Sequence, residues 1–212
     1  MLKLCFALFI IGLVMADLPP GRSLIKPDQR LCAVRKIHEI GPEGHGYFFS
    51  WREPALANAE YDWLDARNYC RQRCMETVSL ETSLENEWIK DKLVQEKVKY
   101  IWTSGRKCDF KGCDRPDLTP VDINGWFWTG SLEKLAPTTQ RDQTDWSYTG
   151  GLGKPQPDNR EPQQGGAPEN CLAVLNEFYN DGVHWHDVAC HHVKPFVCEE
   201  NEELIRSARF FG

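Results

Sequence analysis

No Asn-x-Ser/Thr sequon occurs anywhere in this 212-residue chain, so N-glycosylation is not expected. Gly-x-Ser-x-Gly and glycine-rich phosphate loops are absent too, which removes the common signatures of serine hydrolases and nucleotide-using enzymes. Beyond residue 16 no run approaches the ~20 apolar residues that a membrane-spanning helix needs. Internal repeats, coiled-coil heptads and low-complexity tracts are missing as well. The close cysteine pairs, Cys70/Cys74 and Cys108/Cys113, do not repeat the C-x2-C spacing of a zinc module. Nor is there an excess of positive charge: 25 Lys and Arg against 31 Asp and Glu give a formal net charge of -6. That balance disfavours nucleic acid or an anionic membrane as the main partner, and suits solubility or a bound cation.

What the chain does contain begins with an export signal. Lys3 supplies a positive start, Leu4 to Met15 an apolar run, and Val14-Met15-Ala16 a small-residue cleavage site, so residues 1–16 read as a signal peptide and the mature chain is expected to be secreted and extracellular. Its removal takes Cys5 away and reduces nine cysteines to eight, an even count that in a secreted chain predicts a disulfide framework. Cys108 and Cys113 flank Asp109-Phe110-Lys111-Gly112, a turn-like spacing compatible with a local bridge.

Residues 17–30, with Pro19, Pro20, Gly21 and Pro27, read as an extended N-terminal segment. Tyr47 to Trp51 has the aromatic density of a packed strand. Tyr61 to Met75 predicts a helix that delivers Cys70 and Cys74 on one face. Thr82 and Glu85 form a capping-box signature, and Leu84, Trp88, Ile89 and Leu93 give a second helix its apolar stripe. No third long helix is visible. Short strand-like segments follow at Tyr100–Thr103, Gly125–Thr129, Leu172–Leu175 and Phe196–Cys198. Five glycines and four prolines between Gly150 and Pro168 make that segment a surface loop, and residues 200–212 read as a polar C-terminal tail. Trp88, Trp102, Trp126, Trp128 and Trp185 are expected in the core, with Trp146 a candidate to shape a binding surface. The fold class is α+β: two helices, short antiparallel strands and one long structured loop, held by disulfides.

The motif order is more specific than the class. Val78-Ser79-Leu80 leads into the capped helix, followed by Ile101-Trp102-Thr103-Ser104-Gly105 and Trp126-Phe127-Trp128-Thr129-Gly130. Gln156-Pro157-Asp158, Glu169-Asn170-Cys171, Trp185-His186-Asp187-Val188-Ala189-Cys190 and Phe196-Val197-Cys198-Glu199 complete the series. From Tyr61 to Glu199 the chain resembles the C-type lectin-like domain, and residues 31–199 are assigned to that domain. The resemblance implies bridges Cys70 to Cys198 and Cys171 to Cys190; with Cys108 and Cys113 paired locally, Cys32 is left for Cys74.

The resemblance also implies a site. In sugar-binding members of the family an amide or acid, a proline and a second acid or amide ligate calcium and hydrogen-bond two vicinal sugar hydroxyls, a cis peptide at the proline bringing the side chains together. Transferred to this chain, Gln156, Asp158, Glu169 and Asp187 become the calcium ligands, and the same residues with His186 the carbohydrate contacts. Gln-Pro-Asp with its thirteen-residue step to Glu169 matches the galactose-type version. Glu161-Pro162-Gln163 offers a competing mannose-type frame, with Gln where that motif has Asn. Two positions depart from the family: His186 replaces an Asn, exchanging an amide oxygen for a nitrogen that suits calcium poorly, and Arg160 replaces a sugar-stacking aromatic. His184, His186, His191 and His192 invite a zinc or copper reading, but on residue pattern alone an exposed, partly satisfied cluster is expected. The expected role is non-enzymatic recognition of glycans on microbial surfaces or in extracellular matrix. The alternative is a protein-binding or matrix-structural module whose sugar site no longer holds calcium.

Overall fold

The computed structural model describes residues 23–57 and 59–210; the expected signal peptide, Cys5 and the first part of the 17–30 segment lie outside the described residues. In chain order the elements are α1 (Gln29–Ala33), β1 (Glu39–Ile40), β2 (Gly46–Phe49), α2 (Trp63–Arg71), β3 (Met75–Thr77), α3 (Ser83–Gln95), β4 (Tyr100–Lys107), α4 (Val121–Asn124), β5 (Trp126–Trp128), β6 (Cys171–Asn176), β7 (Val183–Val188), β8 (Val197–Glu200) and α5 (Glu202–Phe210). Two four-stranded antiparallel sheets form, in the orders β1-β2-β8-β3 and β5-β4-β6-β7. The α+β class holds, with more helices than the sequence reading expects. The residues after 200, read as a polar tail, include the nine-residue α5, whose four charged residues mask a helical pattern.

Local chemistry explains the two central helices. Asp62 caps α2 by accepting the Asp65 N–H at 2.9 Å, and Thr82 caps α3 by accepting the Glu85 N–H at 3.2 Å. Only half of the expected capping box closes, because the Glu85 carboxylate is buried and accepts from the Tyr47 hydroxyl instead. The apolar stripe of α3 also shifts: Ile89 and Leu93 are buried and Trp88 packs against them, while Leu84 faces solvent.

All eight described cysteines are bridged: Cys32–Cys74, Cys70–Cys198, Cys108–Cys113 and Cys171–Cys190. Cys70–Cys198 spans 128 residues and fastens α2 to β8; the chain-entropy relation puts such a loop closure at about 4 to 5 kcal/mol. Cys74 follows the end of α2 rather than sharing its face, in the left-handed region at φ 58°. Gly105 on β4 has a packing reason: a Cβ there would approach Leu172 of β6 to 2.6 Å.

Tryptophans tie the second sheet to the loop that precedes the long segment. Trp126 and Trp146 meet edge-to-face at 4.8 Å, Trp128 and Trp185 at 5.3 Å, and Trp146 and Trp185 at 6.0 Å. Trp146 is thus core rather than binding surface, and Trp63 is core as well. The backbone joins in: Trp185 N–H donates to Asp145 O at 2.9 Å and Ser147 N–H to Trp185 O at 3.0 Å. Residues 145–147 are therefore fixed to β7.

Two electrostatic features give predictions. Glu76 on β3 is buried and accepts from Arg67 Nε at 2.8 Å and from Arg71, while Arg67 also donates to Thr129 O at 2.9 Å. Glu76→Ala leaves Arg67 charged and buried without its carboxylate, and chemical denaturation should show a loss of about 3 to 5 kcal/mol. His45 lies 2.5 Å from Glu199 of β8, and that hydrogen bond, with the carboxylate charge, raises its pKa from 6.5 to about 9. A raised folded-state pKa means that the pair's stabilisation is fully present below pH 6.5 and is lost as the pH climbs through about 9. The stability difference between the native chain and His45→Gln should accordingly be largest near pH 6 and vanish above pH 9, read from denaturant midpoints across that range.

Candidate functional site

The long loop folds around two buried carboxylates, Asp187 on the second sheet and Glu169 just before it. Asp187 on β7 accepts the N–H of Asp158 at 3.1 Å on one oxygen and that of Asn159 at 2.7 Å on the other. Glu169, just before β6, accepts the Arg160 N–H, and its own N–H donates to Asn159 Oδ1 at 2.9 Å. Gln156 is tied to the fixed 145–147 segment by its N–H to Ser147 O at 2.8 Å, and the Gln156–Pro157 peptide is cis. Gly150, at φ +48°, lies under the Gln156 side chain, where a Cβ would fall 2.3 Å from its Nε2. The loop is ordered because its polar backbone ends on side chains of rigid strands.

This arrangement gathers Asp158, Glu169 and Asp187 so that one carboxylate oxygen of each lies within 4.8 Å of the others. Gln156, Asp158, Glu169, His186 and Asp187 all line one cavity of about 340 Å³. Burial is the first cause that moves the acids: it pushes Glu169 upward, and with the charge of Glu169 it raises Asp187 to about 7 against the opposing amides of Asn159 and Asp158. Asp158 Oδ2 is buried with no hydrogen-bond partner. Three crowded carboxylates, one with an unsatisfied oxygen, beside an amide side chain make an all-oxygen donor set, and such a set fits calcium.

His186 stands outside that set. It is 1% exposed, and its Nε2 lies 3.1 Å from Asp181 Oδ2 without hydrogen-bonding geometry. Burial lowers its pKa to about 4, so the ring is neutral. The histidine group read from sequence as one exposed cluster is in fact three separate environments. His184 pairs with Asp145 at 2.8 Å, His186 is buried beside Asp181, and His191 and His192 sit with Glu161. The competing Glu161-Pro162-Gln163 segment forms a short 3-10 turn. There Glu161 pairs with His192 at 2.5 Å, and the Gln163 amide donates to the carbonyls of Asp158 and Asn159 at 3.1 and 3.2 Å.

Sequence reading missed Phe178 and Tyr179. Both line the cavity from the β6–β7 turn, Tyr179 carrying the Arg160 guanidinium 5.5 Å from its ring centroid and Phe178 meeting Tyr179 edge-to-face at 4.8 Å. The available signal was an aromatic pair inside a polar turn, Asn176-Glu177-Phe178-Tyr179-Asn180-Asp181-Gly182. Asn170, by contrast, turns its amide to Asp109 at 2.6 Å.

The chain has recognisable similarities to known proteins. The family model for the Lectin C-type domain matches residues 59–200. Among curated proteins, L-selectin of Mus musculus is 23% identical over 137 residues, covering 65% of this chain and 29% of its own length. This chain therefore spans less than a third of that relative. Among solved structures, the mouse scavenger receptor C-type lectin carbohydrate-recognition domain is 20% identical, with 74% of this chain and 90% of that one covered and a TM-score of 0.48. TC14, a C-type lectin from the tunicate Polyandrocarpa misakiensis, is 19% identical with 74% and 98% covered and a TM-score of 0.49. With its matched span taking in α2 through β8, its two sheets and its long loop, the chain belongs to the C-type lectin domain family.

Proposed function

We propose that this chain is a secreted, extracellular glycan-binding protein whose calcium is held by Gln156, Asp158, Glu169 and Asp187. The observation that carries the reading is the convergence of Asp158, Glu169 and Asp187 beside the cavity that Gln156 also lines. A bound calcium ion supplies a coordination point for a vicinal pair of sugar hydroxyls. The chain's own residues do the rest: Gln156 offers an amide donor, the carboxylates accept, and the backbone bonds to Asp187 and Glu169 hold the loop in register. Recognition through these contacts requires no bond-making, and the role is binding rather than catalysis.

Galactose-type preference rests on the order amide, proline, acid in Gln156-Pro157-Asp158. It gains support from the rival frame, whose Glu161 and Gln163 are engaged with His192 and with backbone carbonyls. A monosaccharide site with no aromatic at position 160 forfeits roughly 1 kcal/mol of stacking, so useful strength is expected on multivalent glycans. A second reading, a protein-binding or matrix-structural module without calcium, draws on His186: its neutral, buried ring faces Asp181 where an amide ligand would serve the ion.

A glycan array separates the two. Native chain should bind terminal galactose in calcium, lose it on chelation, and lose it again in Asp158→Ala; binding indifferent to both chelator and substitution would place recognition elsewhere. Arg160→Trp should strengthen galactose binding by roughly two- to tenfold through the restored ring face, measured on a galactose-coated surface. In His186→Asn, calorimetry should register tighter calcium binding; unchanged affinity would show that position 186 lies outside the ligand shell.

A further inference from the structure

We propose that Glu161, His191 and His192 form a zinc site, separate from the calcium ligands and at the mouth of the same cavity. One ligating atom from each of the three lies within 4.8 Å of the others, in a group that shares no member with Asp158, Glu169 and Asp187. The donor chemistry divides the two groups. Oxygen alone suits calcium, whereas two imidazoles and one carboxylate make the donor set that zinc takes, with water completing a tetrahedron.

The supporting elements are already fixed. Glu161 opens the short 3-10 turn of the long loop, which is closed by Gly166 N–H donating to Glu161 O at 2.9 Å. His191 and His192 directly follow Cys190, which is bridged to Cys171, and His192 N–H donates to Ala189 O at 3.1 Å. His192 Nε2 and Glu161 Oε1 are 2.5 Å apart, so two of the ligand atoms already face each other. Zinc would take the place of that hydrogen bond, binding His192 through Nε2 as a neutral imidazole with its ring proton on Nδ1, and would draw the three atoms to zinc-ligand distances of about 2.0 to 2.2 Å. His191 is exposed and its ring stacks on His192 at 4.6 Å, so the remaining adjustment is a rotation of a solvent-facing side chain. Occupancy would tie the long loop to the segment after β7 at a point three residues from Asp158.

The test is calorimetric titration of untagged, chelator-stripped full chain with zinc chloride in millimolar calcium, paired with cobalt titration followed by visible absorption. One equivalent of zinc and the intense absorption of tetrahedral cobalt are expected. Both should disappear in His192→Ala and in His191→Ala, and persist in Asp158→Asn. Thermal melts of the two histidine variants should match the native chain, since both rings reach solvent. Absence of stoichiometric zinc overturns the proposal, as does uptake that survives both histidine substitutions or disappears in Asp158→Asn.

Discussion

The carboxylate of Asp187 is the point on which the candidate site depends. Its two oxygens accept the N–H groups of Asp158 and Asn159, so a strand residue of the second sheet dictates the path of a loop that has almost no apolar residues of its own. A backbone donor buried away from water needs such a partner, and a carboxylate satisfies two at once. β7 is in turn held by Trp185, packed among Trp128 and Trp146 and bonded through its backbone to residues 145 and 147. Rigidity thus passes from the aromatic core to β7, from β7 to the loop, and from the loop to Gln156 and Asp158.

The same bonds carry an electrostatic cost. Burying Asp187 and Glu169 side by side disfavours their charged forms, and the amides of residues 158 to 160 offset only part of that. Crowded acids of this kind are poor for stability alone but well arranged for a dication, which would satisfy Asp158 Oδ2 as well. Farther along the loop the chemistry changes. Glu161 meets imidazoles instead of acids, and two adjacent donor sets of different hardness share one loop.

Much of this was legible in the residues. The helix cap at Thr82, the aromatic strand within 47–51 and the strand-like segments at 100–103, 125–129, 172–175 and 196–198 follow from capping chemistry and composition, and β2, β4, β5, β6 and β8 fall on them. The four bridges match the pairings that resemblance, spacing and elimination gave. What escaped has physical reasons. β1 and β3 are only two and three residues long, too short to show alternation, and exist because β2 and β8 offer them partners. α5 is hidden by its charge. Leu84 looked like core because a stripe on paper cannot say which edge of it the sheet covers. The histidines looked like one group because sequence proximity does not reveal that His184 and His186, though on one strand, meet different acids, Asp145 and Asp181. Tyr179 went unnoticed because its role depends on Arg160, nineteen residues earlier.

The proposed calcium site at Asp158, Glu169 and Asp187 can be measured directly. The most direct measurement is isothermal titration of the chelator-stripped chain with calcium, alongside Asp187→Asn, with circular dichroism confirming that the variant keeps its fold. The native chain should take up one saturable calcium equivalent, and the variant none at the loop. Native chain that takes up no calcium at millimolar concentrations, or a variant that binds as the native chain does, would contradict it.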